Sequence, residues 1–296
     1  MARFSHKAPA NLPGDLFVDD SCIACDACRR IAPHTFGGKE DEPSFVAHQP
    51  STAEERRDAL QALVACPVSA IGSVVHDRVE VIRAARSFPS PVEGAAGVYD
   101  CGYASPRSFG ASSWLVKREG EGGNVLVDSP RFAALLAMSI DDLGGAGLMF
   151  LTHRDDVADH ARWARRLHCA RVMHARDAEG AHTAVERPVN GDEPVALAPD
   201  LLAVPVPGHT PGSCALLWNE TFLFTGDHLW GDAHGNLHAS RAVCWWDWEA
   251  QIRSMERLLE LRFEWVFPGH GRPWRARSTT HAHEAVAALL RDMRAG

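Results

Sequence analysis

The sequence predicts an α+β protein of two domains, with layers of sheet and helix. From residue 97 onward, short apolar strand-like runs alternate with helical stretches, and hairpin turns separate several of the runs. The 296 residues correspond to about two domain lengths. Residues 86–96 are rich in Pro, Gly, Ser and Ala and have no apolar period. We therefore expect them to link a domain at 1–85 to a domain at 97–296.

The predicted elements of the second domain follow from local patterns. Two strand-like runs, at 112–119 and 124–129, flank a glycine-rich turn that favours a hairpin. Longer stretches with helical spacing alternate with short apolar runs in the remainder of this domain. We expect helices near 131–140, 157–168, 247–262 and 278–294, and strands near 147–151, 171–175, 215–219, 221–227 and 265–270.

Charge and hydropathy argue against two classes of partner. The chain has 38 acidic and 30 basic residues and a net charge of −8, whereas phosphate binding needs a surplus of Lys and Arg. No window approaches the roughly 18 to 20 unbroken apolar residues of a membrane span, and the first ten residues lack the apolar stretch of a signal peptide. We expect a cytoplasmic protein that binds neither nucleic acid nor membrane. In that compartment its 8 cysteines are expected to be metal ligands or core residues.

Four cysteines lie close to the start of the chain. Cys22, Cys25 and Cys28 are separated by two residues each, and a tight loop with this spacing can supply three ligands to one iron–sulfur cube. The bacterial ferredoxin run has a fourth cysteine four positions later, where this chain has Ala32, so a second cluster would lack a ligand. The distant pair Cys66-Pro67 can supply the missing corner of the first cluster. Zinc bound by the same four sulfurs is the alternative.

Residues 15–82 resemble the single-cluster ferredoxins of bacterial type. The resemblance rests on the cysteine run and on the remote Cys-Pro pair. It implies one [4Fe–4S] cluster, held by Cys22, Cys25, Cys28 and Cys66.

Four short motifs in the second domain carry side chains that bind metal ions. They are THRDD with His153, PGHTPGS with His209, FTGDH with Asp227, and FPGHG with His270. Each follows an apolar run, so we expect each to lie where a strand ends and a loop begins. Histidine supplies neutral nitrogen ligands, and an aspartate can bridge two cations and offset their charge. The sequence therefore predicts a metal site built from several loops.

Together and in this order, the motifs resemble those of the metallo-β-lactamase superfamily over about 97–296. The resemblance implies an αββα sandwich with the metal site at one edge. His209 matches the histidine of the third motif, Asp227 the bridging aspartate, and His270 the last histidine. One or two divalent ions are implied, with iron or zinc as the first candidates and manganese as a third.

The first motif departs from the H-x-H-x-D-H signature of that superfamily. His153 matches the first histidine, but Asp155 replaces the second, and Val157 and Ala158 replace the final Asp-His pair. An Asp-His pair does occur at Asp159 and His160, two residues late.

A helix that begins near Val157 would give Asp156 a structural role as its N-cap and would place Asp159 in its first turn. These positions favour structural roles, and a ligand role stays open as the alternative for both. We predict metal ligands at His153, Asp155, His160, His209, Asp227 and His270, and we assign acid–base roles to Asp155 and Asp159. The flavodiiron proteins, a redox branch of the superfamily, resemble this chain in having a carboxylate at the second signature position.

Three functions remain open on these residues. The first is a metal-dependent hydrolase of small esters, thioesters or lactones, as in the glyoxalase II branch, in which the cluster has a redox or regulatory role. The second is an iron-dependent oxidoreductase that receives electrons from the cluster. The third is a non-enzymatic electron-transfer or sensing protein. We expect a small-molecule substrate and a redox partner protein, and we expect Trp245, Trp246 and Trp248 to pack in the core rather than to wall a substrate pocket.

Overall fold

The computed structural model describes residues 2–39, 41–180 and 183–295. The chain forms two compact units. The first unit comprises Met1–Leu115 and Pro130–Gly145, and the second unit comprises Val116–Ser129 and Ala146–Gly296. Within the described residues, no helix is both long and apolar enough to cross a membrane.

The first unit is built from short strands and four helices. The helices are α1 (Ala27–Ile31), α2 (Ala53–Ala65), α3 (Arg78–Arg86) and α4 (Ala134–Asp142). The strands are β1 (Leu16–Val18), β2 (Phe36–Gly37), β3 (Phe45–Val46), β4 (Ile71–Ser73), β5 (Ser90–Pro91), β6 (Val98–Asp100) and β7 (Trp114–Val116), whose last residue belongs to the second unit. Strands β1 and β4 pair antiparallel, as do β2 and β3.

Helix α2 begins with a capping box. Thr52 Oγ1 accepts a hydrogen bond from the Glu55 backbone at 3.1 Å, and the Glu55 carboxylate accepts one from the Thr52 backbone at 3.3 Å. These two bonds satisfy donors that a helix start otherwise leaves unpaired. The helix ends at its C-cap residue Cys66, and its buried face joins a small core with Leu16, Val46 and other apolar residues. The helix therefore runs from this cap to the fourth cysteine.

The segment predicted as a linker contains a short strand. In residues 86–96, β5 pairs antiparallel with β6, so that Ser90 lies opposite Asp100. The first compact unit continues past residue 85 because this strand pair and the following turns pack within it. The domain limits of 1–85 and 97–296 stay a prediction.

The second unit contains most of the sheet structure. Its strands are β8 (Val125–Val127), β9 (Leu148–Phe150), β10 (Ala170–His174), β11 (Arg187–Val189), β12 (Val195–Ala198), β13 (Leu201–Pro205), β14 (Cys214–Trp218), β15 (Phe222–Gly226), β16 (Trp230–Gly231), β17 (Leu237–His238), β18 (Trp265–Pro268) and β19 (Trp274–Arg275). Its helices are α5 (His160–Leu167), α6 (Ala175–Gly180), α7 (Trp248–Arg257) and α8 (Thr279–Ala295).

Two sets of strands place the loops of the second unit. Strands β8, β9, β10 and β11 pair in parallel, each with the next. A six-stranded sheet has the order β12-β13-β14-β15-β18-β19, and its β15 and β18 are parallel neighbours. Parallel neighbours end at the same edge of a sheet. The loops after β8 and β9 therefore lie together, and so do the loops after β15 and β18.

Helices α7 and α8 cover an apolar face of the six-stranded sheet. Buried residues of β13, β14, β15 and β18 form one core cluster with residues of both helices, among them Val266, Met255 and Val286. Burial of these side chains holds the sheet rigid beneath its loops. The predicted α+β class is confirmed.

Helix α5 begins three residues later than predicted. It starts at His160 with Asp159 as its N-cap, and the residues before it form a loop. Asp156 is therefore not the N-cap that the sequence predicted, because the helix starts four residues beyond it. This loop, which runs from β9 to α5, holds the whole first metal motif.

Candidate metal centres

The four N-terminal cysteines of the first unit line one cavity. Cys22 and Cys25 lie in the loop before α1, Cys28 lies on α1, and Cys66 is the C-cap of α2. The loop between the first three cysteines is tightly wound, since Ala24 and Asp26 both have left-handed backbone angles, with φ of 60° and 61°. All eight cysteines of the chain are free thiols rather than disulfides. The geometry brings together the four side chains that the sequence selected.

The protein matrix by itself disfavours thiolates in this cavity. Burial, followed by the repulsion of the neighbouring cysteines, raises the pKa of Cys25 to about 11 and that of Cys28 to about 12. The Cys66 sulfur accepts a hydrogen bond from Ala70 N at 3.3 Å. Coordinated sulfur is deprotonated, so bound cations must supply the missing positive charge. The donor set fits an all-sulfur metal centre.

A glycine seals the approach to Cys25. Gly110 has a φ of +88°, and a Cβ at this position would lie 2.6 Å from Cys25 Cβ and 2.8 Å from its sulfur. Both the backbone angle and the close contact exclude a larger residue. The turn that carries Gly110 is closed by a hydrogen bond from Gly110 N to Ser105 O at 2.8 Å. A segment far from the cysteine run in sequence thus covers one of its sulfurs.

In the second unit, each metal motif follows a strand end, as expected. His153 follows β9, His209 lies between β13 and β14, Asp227 follows β15, and His270 follows β18. Because β15 and β18 are parallel neighbours, Asp227 and His270 meet at one edge, where His270 Nε2 lies 3.8 Å from Asp227 Oδ2.

Two groups of side chains converge closely enough to hold a cation. His153, Asp155 and His209 form one group, and His153, Asp156 and Asp227 form the other, with ligand atoms within 4.8 Å of one another. His209 Nε2 lies 3.5 Å from Asp155 Oδ2, and His153 Nε2 lies 3.6 Å from Asp227 Oδ2. Ligands about 2.1 Å from one ion at tetrahedral angles are about 3.4 Å apart. The spacing suits coordination better than direct hydrogen bonds.

Several ligand atoms at this site are buried without a partner. Among the side chains that the structure describes, His153 Nε2, His209 Nε2, Asp156 Oδ2 and Asp227 Oδ1 are inaccessible to water and make no hydrogen bond. Buried polar atoms are nearly always paired, and an unpaired one carries a desolvation penalty. Cations held by the two convergent groups would satisfy all four atoms. The residues present therefore fit a metal site.

The second ring nitrogen of each buried histidine fixes its tautomer. His209 Nδ1 lies 2.6 Å from Val243 O, and a carbonyl only accepts, so this nitrogen carries the proton. His153 Nδ1 lies 3.0 Å from Thr152 Oγ1, whose own proton goes to Asp128 at 2.9 Å. Each Nε2 is thereby left with a lone pair that faces the site. Such partners orient metal-bound histidines and raise their basicity.

The electrostatics of the site also call for positive charge. Burial raises the pKa of Asp156 well above its usual value, and the nearby carboxylates of Asp227 and Asp128 raise it further. Burial also raises the pKa of Asp128 to about 8, against the hydrogen bonds from Thr152 that lower it. Desolvation lowers the pKa of His153, which keeps the ring neutral. A bound cation would reverse this preference for protonated carboxyls.

Three sequence-predicted site residues lie outside the convergent groups. They are His270, whose Nε2 lies 3.8 Å from Asp227 Oδ2, and the pair His160 and Asp159. His160, the first residue of α5, has its Nδ1 3.2 Å from the Arg171 guanidinium, and Asp159 is the N-cap of the same helix. Asp156, which the sequence had placed in a capping role, takes part instead. Its Oδ2 and Asp227 Oδ1 both lie against Gly269, where a Cβ would come within 2.6 Å and 2.7 Å of them.

The tryptophans after Arg241 are not all core residues. Trp248, on α7, packs against the core cluster as predicted, but the core prediction is wrong for Trp245 and Trp246, which are 66% and 48% exposed. The Trp245 ring centre lies 6.3 Å from that of His209. The residues before and after the two exposed tryptophans, Cys244 and Asp247, are hydrogen-bonded to Gly208, next to His209. Cys244 Sγ donates to Gly208 O at 3.1 Å, and Asp247 N donates to the same oxygen at 3.0 Å.

Comparisons with known proteins give one family match and several structural neighbours. Residues 18–73 match the family model described as the 4Fe-4S single cluster domain of Ferredoxin I. The BLEG-1 B3 metallo-beta-lactamase is 15% identical over 65% of this chain and 99% of its own, with a TM-score of 0.50. A beta-lactamase domain protein from Burkholderia ambifaria is 18% identical over 69% of this chain and 76% of its own, also with a TM-score of 0.50.

The chain contains a metallo-β-lactamase fold. A ferredoxin-type domain at residues 18–73 precedes it. TTHA1623, solved in a di-iron-bound form, is 24% identical over 59% of this chain and 93% of its own, with a TM-score of 0.45. No curated protein matches the sequence. Both predicted resemblances are confirmed at the level of fold.

Proposed function

We propose that this chain is a metal-dependent hydrolase of small esters, thioesters or lactones, and that the part with the metallo-β-lactamase fold holds its active site. The four buried ligand atoms of His153, His209, Asp156 and Asp227, which have no hydrogen-bond partner, carry this proposal. They belong to two cation-sized groups that share His153. The names of the structural neighbours, which are metallo-beta-lactamases, also suggest attack on an acyl carbon. A divalent cation supplies Lewis-acid polarisation of the substrate carbonyl and acidifies water.

Asp155 and the exposed tryptophans have separate roles in the proposed reaction. The Asp155 side chain is 49% exposed, and its Oδ2 lies 3.5 Å from His209 Nε2, so it reaches both the site and solvent. Interaction with His209 is the main cause that lowers the Asp155 pKa, which keeps the carboxylate ready to accept a proton from an attacking water. Trp245 and Trp246 offer an exposed apolar surface beside His209. We infer a substrate with an apolar acyl or aromatic group.

An iron-dependent oxidoreductase is the second candidate. One convergent group consists of two histidines and one carboxylate, His153, His209 and Asp155, a set that is typical of non-haem iron sites with open positions. A [4Fe–4S] cluster on Cys22, Cys25, Cys28 and Cys66 would provide single electrons to such a site. A redox partner protein would then deliver electrons to the cluster. Zinc or manganese at the same ligands would favour hydrolysis instead.

Metal analysis of anaerobically purified protein separates these candidates. Zinc or manganese alongside four irons, with turnover of thioester or lactone substrates in the absence of a reductant, supports hydrolysis. Iron beyond four per chain, with substrate turnover only when a reductant is supplied, supports the oxidoreductase. His209→Ala should remove most of the non-cluster metal, whereas His234→Ala, at an exposed histidine, should retain it. Equal metal content in the two variants would contradict the assigned site.

A further inference from the structure

The cavity lined by the four cysteines contains one hydroxyl group that none of the roles above uses. Ser44 precedes β3, is 1% exposed, and lines this cavity together with Cys28. Within the described part of the chain, Ser44 Oγ has no hydrogen-bond partner. A hydroxyl buried in this way retains a donor that nothing satisfies.

The surroundings of Ser44 leave sulfur as the acceptor. The other lining residues are largely apolar, among them Val18, Ile23 and Ile71. Asp26 also lines the cavity, but its carboxylate is paired with the Arg29 guanidinium. Burial raises the pKa of the Cys28 thiol to about 12, and Ser44 is the neighbouring side chain that lowers this pKa. The hydroxyl and the Cys28 sulfur thus belong to residues that line the same cavity.

We propose that Ser44 donates its hydroxyl proton to the Cys28 sulfur of the bound cluster and thereby raises the reduction potential of the cluster. Reduction adds one electron to the cluster and increases the negative charge on its sulfurs. A hydrogen bond to sulfur becomes stronger with that charge, so it stabilises the reduced state more than the oxidised state. Ser44 is a positioning residue that sets the potential and is not a ligand. The inference rests on the proposed [4Fe–4S] cofactor.

The test is a redox titration of the full-length holoprotein under anaerobic conditions. Dithionite supplies the electrons, and the electron paramagnetic resonance signal of the reduced cluster reports the midpoint potential. We expect Ser44→Ala to lower the equilibrium constant for reduction about tenfold, which is about 59 mV for a one-electron couple. Thr35→Val is the matched control, because the Thr35 hydroxyl is also buried and unpartnered among the described residues but does not line the cavity.

A second pair of variants guards against loss of the cluster in Ser44→Ala. Ser44→Thr and Ser44→Val add similar bulk, but only the first retains the hydroxyl. We expect the threonine variant to hold the higher potential of the two by a similar margin. If Ser44→Ala had the potential of the unmodified protein and Ser44→Val had that of Ser44→Thr, the proposed hydrogen bond would be wrong, although the cofactor assignment would stand. Protein that binds no iron–sulfur cluster after anaerobic reconstitution would overturn the cofactor assignment, and the proposal with it.

Discussion

Asp128, Thr152 and His153 form a chain of polar contacts behind the metal site. Thr152 Oγ1 lies within 3.0 Å of both Asp128 oxygens and of His153 Nδ1. A hydroxyl has one proton, and the Asp128 carboxylate is the stronger acceptor for it. The threonine oxygen can then accept the proton of His153 Nδ1. The Thr152 hydroxyl thus links the buried Asp128 carboxyl group to His153, a proposed metal ligand.

Replacement of Thr152 by valine tests this chain. The variant keeps the shape but removes the hydroxyl, so His153 loses the partner that fixes its tautomer. Loss of such a partner typically lowers metal affinity about 10- to 100-fold. Competition with a chelator of known affinity measures the change, and Thr221→Val, outside the site, is the control. Affinity equal to that of the unmodified protein would show that His153 needs no orienting hydroxyl.

Gly110 gives a prediction for the cluster. Gly110→Ala puts a methyl group against the Cys25 sulfur and also forces a non-glycine residue to a φ of +88°. We expect the variant to hold substantially less cluster than the unmodified protein, as measured by iron and acid-labile sulfide per chain. Gly123→Ala is the matched control, because Gly123 also has a positive φ but has open space around its Cβ position. Similar cluster loss in both variants would implicate backbone strain rather than the contact with Cys25.

At the scale of elements, the cap of α2 supports the fourth cysteine. Thr52→Ala removes one side of the capping box, which typically costs about 1 kcal/mol of stability. We expect chemical denaturation of the anaerobic protein to show this loss, together with faster release of the cluster. Thr280→Ala, at an exposed threonine of α8, is the control and should cost less. A larger loss in Thr280→Ala would contradict the assigned role of Thr52.

The loop that holds Trp245 gives a prediction about substrate binding. Because its indole is exposed next to His209, truncation should weaken substrate binding with little change in the chemical step. We expect Trp245→Ala to raise KM about tenfold for substrates with an apolar acyl group and to leave kcat within about twofold. Trp245→Phe should recover most of the loss. A fall in kcat at constant KM would place Trp245 in the chemistry rather than in binding.

The elements also show what the sequence could and could not predict. Alternating apolar runs identified β8, β9, β15 and β18, and the loops after them contain the metal motifs. Strand β13 was missed, although its run LLAVP is apolar, because no motif drew attention to it. The predicted start of α5 was three residues too early, because the helical spacing of apolar residues that includes Val157 extends into the loop before the helix.

The predicted helix boundary also decided how Asp156 was interpreted. Its role as N-cap is wrong, because Asp159 is the N-cap of α5. The roles of Asp159 and His160 stay predictions that the two convergent groups do not include. Asp128 was overlooked, although it follows the apolar run of β8 just as His153 follows that of β9. Ser44 left no signal in the sequence, because a buried hydroxyl is recognised only by what surrounds it.

For the whole molecule, the buried acids make stability depend on both pH and metal. The folded state raises the pKa of Asp128 to about 8 from an ordinary value of 3.8, so metal-free folded protein holds a proton that the unfolded chain releases. This contribution to stability is complete below pH about 4 and is lost as the pH rises toward about 8. Asp156 acts in the same direction.

We therefore expect the metal-free protein to melt at a lower temperature at pH 8 than at pH 5. The raised pKa values of the two acids outweigh the opposite effect of His228, whose pKa burial lowers to about 3. Reloading the site with a divalent cation should remove most of this difference, because the cation stabilises the ionised carboxylates. Calorimetry of chelator-treated and reloaded samples at both pH values measures the effect. In Asp128→Asn, the pH dependence of the metal-free form should be smaller. A metal-free protein that is more stable at pH 8 would contradict this account.

The position of Gly110 also constrains how the chain can be shortened. A fragment that stops at residue 96 would retain every cysteine of the motif yet lose the turn that lies on Cys25. Dissolved oxygen would then have an open route to that sulfur, and the fragment would bleach faster in air than the intact chain. A durable miniature electron carrier cut from this protein must extend beyond Gly110.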